Sequence, residues 1–224
     1  MKSTILITAA LITAGFFFQS CDNNSSNSGK TDMDTSMSNM EHKDNMDMKN
    51  MNNEMMEPMN GMMAKMHAMK MTGDFDLDFA NMMILHHEAA IDMSEVVLAK
   101  GSDAQVKTWA QNIITAQKAE IAQMQAMMKN LKVPEMKKET GEMHNELGES
   151  MTTMMDKMKA MTMSGNIDKD FVMMMIPHHE SAVTMAEDQL AHGKSLELKK
   201  LANKIINDQN KEIKEFKDWV KGKG

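Results

Sequence analysis

The chain has 224 residues, 33 of them Met and a single one Cys, with no Tyr, a net charge of −7 and a pI near 5.6. There is no basic patch interleaved with aromatic residues, which excludes the usual nucleic-acid footprint. One cysteine excludes a disulfide framework, and the methionine content is far more than a core needs.

Residues 1–20 read as a secretory signal. Lys2 supplies positive charge, and Ile5 to Phe18 is an apolar run of h-region length, too short for a comfortable transmembrane helix. The run ends at Cys21, followed by Asp22-Asn23-Asn24-Ser25-Ser26, which resembles a bacterial lipoprotein processing site. Ser20 suits the position before the cysteine, whereas Phe18 stands where Leu is usual. With Cys21 acylated, the mature chain is expected to sit in the bacterial envelope, on its periplasmic or surface face, held to the membrane by lipid and without any thiol. Residues 21–61 then form the lipidated cysteine and a polar, Met-rich tether. Met33, Met37, Met40, His42, Met46, Met48, Met51, Met55, Met56 and Met59 punctuate it, Pro58 and Gly61 close it, and it has almost no branched apolar residue. Such a composition cannot bury enough surface to offset ordering entropy.

The rest is a repeat. Met82-Met83-Ile84-Leu85-His86-His87-Glu88 recurs as Met174-Met175-Ile176-Pro177-His178-His179-Glu180, and Met93 recurs as Met185. The offset is about 92 residues, and roughly 30 of the 67 paired positions between Met62–Met128 and Met154–Val220 are identical. Each copy, 62–131 and 151–224, opens with a short Met-rich segment (Met62 to Met71; Met154 to Met163) that reads as a cap helix. A Gly turn follows, Thr72-Gly73-Asp74 or Ser164-Gly165-Asn166. A long helix is predicted from about Asp76 to Ala99 and from about Asp168 to Ala191, stopped by Gly101 and Gly193. Ser102 and Ser195 are N-cap candidates for a second helix reaching about Leu131 or Val220. The stripes Val106, Ala110, Ile113, Gln117, Ile121, Met124 and Leu198, Ala202, Ile205, Gln209, Ile213, Phe216 have helical spacing. A linker over 132–150 joins the copies, with a short surface helix as an option near Glu135 to Leu147. Each copy is thus a helical hairpin, and two hairpins bury each other as an all-α four-helix bundle with a pseudo-twofold axis.

On a helix, residues three and four apart are neighbours. Asp78, Met82 and His86 therefore stack on one face, with Met93 two turns on, while Met83 and His87 occupy the adjacent strip. The second copy presents Asp170, Met174, His178 and Met185, with Met175 and His179 alongside. Adjacent histidines diverge by about 100°, so one of each pair is expected to look inward and the other to a flank. Imidazole and thioether together suit a soft or borderline metal, copper above all, and thioether favours Cu(I). The candidate metal ligands are His86, His87, His178, His179, Met82, Met83, Met93, Met174, Met175 and Met185. Gln117, Gln209, Glu88 and Glu180 are candidates to orient them, with Glu120 and Glu212 one turn beyond the glutamines. A symmetric core would keep the same residues for packing alone, so a purely structural role stays open at this stage. Pro177 removes a backbone hydrogen bond directly before His178 and either re-aims it or leaves a tolerated kink.

Asp78-Phe79-x-x-Met82-Met83-x-x-His86-His87-Glu88 through Met93, with Ala110-x-x-Ile113-Ile114-x-x-Gln117-x-x-Glu120, resembles the family called domain of unknown function 305, and Asp170 through Met185 with Ala202 through Phe216 matches again. The resemblance implies a ferritin-like four-helix bundle and, from some exported members, copper binding and copper resistance. Leu85 stands where Pro is expected, and Glu88 and Glu180 where Gln is frequent. The expected function is a lipid-anchored, non-enzymatic copper protein, taking Cu(I) or Cu(II) for sequestration or for transfer to a copper-handling partner. The competing readings are a Met-rich interaction or oxidant-buffering module and, behind it, a di-metal oxidase, which would require several inward carboxylates.

Overall fold

The computed structural model describes residues 54–131 and 143–223, and the side chains of 143–145 are outside the description. The signal segment, Cys21, most of the tether and linker residues 132–142 lie outside the described residues. Among the described residues the protein is all-α. Helix α1 spans 54–68, α2 Phe75–Lys100, α3 Ala104–Met128, α4 Met143–Lys159, α5 Ile167–His192 and α6 Leu196–Gly222. Hairpins α2–α3 and α5–α6 pack through the face that α2 and α5 share, and α4 lies against α5. Helix α1 is tied to α2 by Lys65–Glu88 and Lys100–Glu54, and the first of these recurs as Lys157–Glu180 between α4 and α5.

Two boundaries differ from the sequence expectation. The tether does not run to Gly61, because residues 54–61 are already helical, and the linker does not run to Ser150, because α4 begins at Met143. Met55, Met59, Met62 and Met66 recur at four- and three-residue spacing, as do Leu147, Met151, Met154 and Met158, and all eight are buried. One apolar stripe at that period is enough to hold a helix against a core. The repeat therefore reaches further back than the identity count suggests: Leu147 replaces Met55, which a search for identical residues passes over. Pro58 sits inside α1 and does not close the segment before it.

The helix ends are specified by side chains. Asp74 and Asn166 cap α2 and α5 by accepting from the backbone N–H of Leu77 and Lys169, and Ser195 caps α6 by accepting from Leu198. The cap of α3 is Asp103, which accepts from Gln105 and Val106, not Ser102. Asp78 accepts from Thr72 N, Thr72 Oγ1 and Gly73 N at 2.7, 2.8 and 3.1 Å, and Asp170 repeats this with Ser164 and Gly165. These two carboxylates, drawn on the histidine face by helical spacing, are spent on folding back the turn. The turn needs glycine, since Gly73 and Gly165 have φ of 82° and 77°.

Two further carboxylates lock the hairpins together. Asp76, in the first turn of α2, accepts from the N–H groups of Lys194 and Ser195 at the start of α6. Asp168, in the first turn of α5, accepts from Ser102 N, Ser102 Oγ and Asp103 N at the start of α3. Each hairpin thus satisfies otherwise orphaned donors at a helix start of the other, and α2 and α5 are held antiparallel. Gly101 and Gly193 are required by close approach and not by unusual φ, which is −67° and −64°. A Cβ at Gly101 would meet Asp168 Oδ1 and stand 2.7 Å from Val97 O, and one at Gly193 would stand 2.6 Å from Gln189 O.

Candidate metal centre

Where α2 crosses α5, His86 and His178 face each other with ring centroids 3.7 Å apart and planes inclined by 36°. Both are fully buried. None of their four ring nitrogens makes a hydrogen bond of ordinary geometry with a described protein atom. Burial first, then the positive fields of the neighbouring imidazoles, hold both pKa values well below the usual 6.5, against a smaller opposing effect of the partner's backbone. The pair is therefore neutral at physiological pH, the protonation state that binds metal. Buried polar groups nearly always have a partner, and an unsatisfied one costs about 1–3 kcal/mol. Four such nitrogens in one place are an uncommon expense for packing alone.

His87 and His179 are buried too, but each turns toward the second helix of its own hairpin. His87 Nε2 lies 2.9 Å from Glu120 Oε2, and His179 Nε2 lies 2.8 Å from Glu212 Oε2. Burial alone would raise the Glu120 pKa, but hydrogen bonds and charge from His87 and Lys204 outweigh it and bring the net value below the ordinary range. Glu120 is thus an ionised acceptor, and Nε2 of His87 is the N–H that donates to it. Nδ1 of His87 and of His179 is buried and has no hydrogen-bond partner. A histidine oriented by a carboxylate through one nitrogen and free at the other is the usual arrangement of a metal ligand. Lys204 adds an asymmetry, bridging Glu120 at 2.7 Å and Asp208 at 2.7 Å, while the position 92 residues before it is Asn112.

The partners expected from the sequence divide. Gln117 and Gln209 are buried with side-chain oxygens that accept nothing, and the histidines are held by Glu120 and Glu212 one turn further on. Glu88 and Glu180 point away to the surface, paired with Lys65 in one case and with Lys157 and Lys217 in the other. Helix periodicity explains this, since a residue next to His87 is rotated about 100° from it. Met83, Met93, Met174, Met175 and Met185 are completely buried and Met82 nearly so. Met82 and Met83 precede His86 by one helical turn, as Met174 and Met175 precede His178, so thioether and imidazole share a strip of each helix. Met93 and Met185 sit about two turns beyond in the apolar core. Helix α5 runs unbroken through Pro177, and His178 faces His86 from it. Among the described residues no group of three or more His, Cys, Asp or Glu side chains is placed to hold one ion. A metal at this centre would therefore have to combine imidazole with thioether, a donor set that fits copper better than a hard cation.

Sequence reasoning missed Asp76 and Asp168 as inter-hairpin locks. Both are identical in the two copies, and a first-turn acid retained in each was the available signal. No helix among the described residues is long and apolar enough to cross a membrane.

No curated protein matches the chain. Among solved structures, CopM in its Cu(II)-bound form is 33% identical, with 66% of this chain and 97% of that chain covered and a TM-score of 0.50. A DUF305 protein from Streptomyces coelicolor is 19% identical, with 68% of this chain and 95% of that chain covered and a TM-score of 0.52. The family described as domain of unknown function (DUF305) matches residues 23–128, which include the first histidine-bearing hairpin, and again 76–220, which span both. With both copies of the repeat matched across most of its length, the chain belongs to the DUF305 family.

Proposed function

We propose that this protein binds copper, with Cu(I) favoured, at the paired histidines of α2 and α5, and that it sequesters or passes on the ion without catalysing a reaction. The observation that carries this reading is the His86–His178 pair: two neutral imidazoles, fully buried, 3.7 Å apart, with none of their four ring nitrogens in a hydrogen bond of ordinary geometry. Met82, Met83, Met174 and Met175 on the same strips supply soft donors, and His87 and His179 each keep a buried Nδ1 without a hydrogen-bond partner. The Cu(II)-bound state of CopM, at 33% identity, supports copper as the ion. The signal-like segment and Cys21 support an envelope lipoprotein, which keeps the site in a compartment where thiolates are unreliable ligands.

The test is X-ray absorption at the copper edge of full-length protein loaded anaerobically with one equivalent of Cu(I), compared with the His86→Leu/His178→Leu variant. Mixed nitrogen and sulfur scattering whose nitrogen share falls in the variant supports the reading. Identical spectra from both proteins remove it. Anchoring is tested separately: incorporation of labelled palmitate should vanish in Cys21→Ser.

A further inference from the structure

A fully buried pair cannot meet an ion directly from solvent, and one cleft on the surface has the chemistry to receive it. Between α1, α4 and the start of α2 lies a cleft of about 470 Å³. Met63, Met66 and His67 line it from α1, Met69 and Met71 from the segment leading into α2, and Met82 from α2 itself. Gly148, Glu149, Met151 and Thr152 of α4 complete the wall. No other cleft described here gathers as many thioethers. Met63, Met69 and Met71 are half-buried and His67 is exposed, so the donors are reachable. Met82 forms the inner wall, only 5% exposed, and His86 follows it one helical turn deeper.

The repeat shows what this cleft would look like closed. At the positions 92 residues away, Lys159 stands for His67, which replaces a soft ligand by a cation. Met56 stands for Gly148, a glycine with nothing within 4 Å of its Cβ direction, and Met56 packs on the core. The second copy is tighter on its inner wall, where Met155, Met158 and Met174 are 5%, 2% and 0% exposed, while Met161 and Met163 stay half-buried like Met69 and Met71. An apolar stripe needed only for packing has no reason to stay open in one copy, with its single histidine, and to be plugged by a lysine and a methionine in the other.

We propose that this cleft is a second site for a soft monovalent cation, built of thioethers with His67, and that it loads the buried histidine pair through Met82. The loading role rests on the function proposed above, whereas binding in the cleft does not. The probe is Ag(I), a soft monovalent cation that does not change oxidation state under the conditions used, added to full-length protein carrying 13C-methyl Met and 15N-His. Three proteins are compared: wild type, His86→Leu/His178→Leu, and His67→Lys/Gly148→Met, which copies the closed half. A fourth, Met63→Leu/Met69→Leu/Met71→Leu, keeps the apolar volume and removes the sulfur should the closed variant fold poorly. Expected are methyl shifts at Met63, Met69 and Met71 in wild type and in the histidine variant, with loss of those shifts in the other two. The fast phase of Ag(I) arrival at the His86 ring is also lost in the closed and leucine variants, with final occupancy unchanged. Cleft methyls unmoved by Ag(I) in both open proteins overturn the site. Cleft methyls that move while the fast phase survives in the closed and leucine variants overturn the loading role. Cleft methyls that move while the wild-type histidine rings never respond remove the loading role together with the proposed function, and leave the cleft as a site in its own right.

Discussion

Acidifying the metal-free protein from about pH 7.5 to about pH 5.5 sets the buried histidine pair against the unfolded chain. In the unfolded state His86 and His178 take up a proton near 6.5, whereas in the fold burial keeps both pKa values well below that. The unfolded state then binds more protons, so stability is fully present above about 6.5 and falls as the pH drops from there toward the folded-state value. At pH 5.5 the loss is about 1.4 kcal/mol for each histidine, or about 2.8 kcal/mol for the pair. For a domain of this size that corresponds to a fall in Tm of roughly 5–11 °C. The assay is thermal or urea unfolding of metal-stripped protein across this range, in parallel with His86→Leu/His178→Leu. The variant should lose most of the slope and be no less stable than wild type at pH 7.5, because removing both members of an unpaired polar couple relieves their desolvation cost. Equal slopes in the two proteins would refute the buried, neutral pair.

Other outcomes follow from the same contacts. Asp76→Asn and Asp168→Asn each weaken a charged cap that one hairpin provides for the other, and each should cost about 1–3 kcal/mol in urea unfolding. The double variant should also loosen α2 from α5, read as faster amide exchange near His86 and His178; unaltered exchange would mean that the locks act only locally. Gly101→Ala should destabilise through its clash with Asp168 Oδ1 and Val97 O, whereas Gly61→Ala, in open space within α1, should gain about 0.5–1 kcal/mol. Similar effects from both substitutions would contradict the close approach at Gly101.

Much of the bundle is legible in the sequence because the repeat prints each rule twice. The two long helices, their Gly stops and the divergence of the paired histidines all follow from period and geometry. The histidines point as that geometry requires, His86 and His178 toward each other and His87 and His179 away. Three things were harder to read. The early start of α1 was hidden because Met55 and Met59 sit in Met-rich, polar surroundings that look like tether. Of the carboxylates named from the sequence, Glu120 and Glu212 hold the histidines from the facing helix, whereas Glu88 and Glu180 do not, because sequence adjacency is not spatial adjacency on a helix. Asp76 and Asp168 act across the pseudo-twofold, and no local pattern shows which helix start lies opposite.

The central claim is that two histidines 92 residues apart make one soft-metal site. Anaerobic Cu(I) titration of the full chain against a chromogenic chelator, with and without His86→Leu/His178→Leu, tests it most directly. The account predicts that the variant loses its tightest equivalent of Cu(I) while weaker binding by the methionine-rich segments persists. Unchanged stoichiometry and affinity would contradict it and leave the pair as a structural contact.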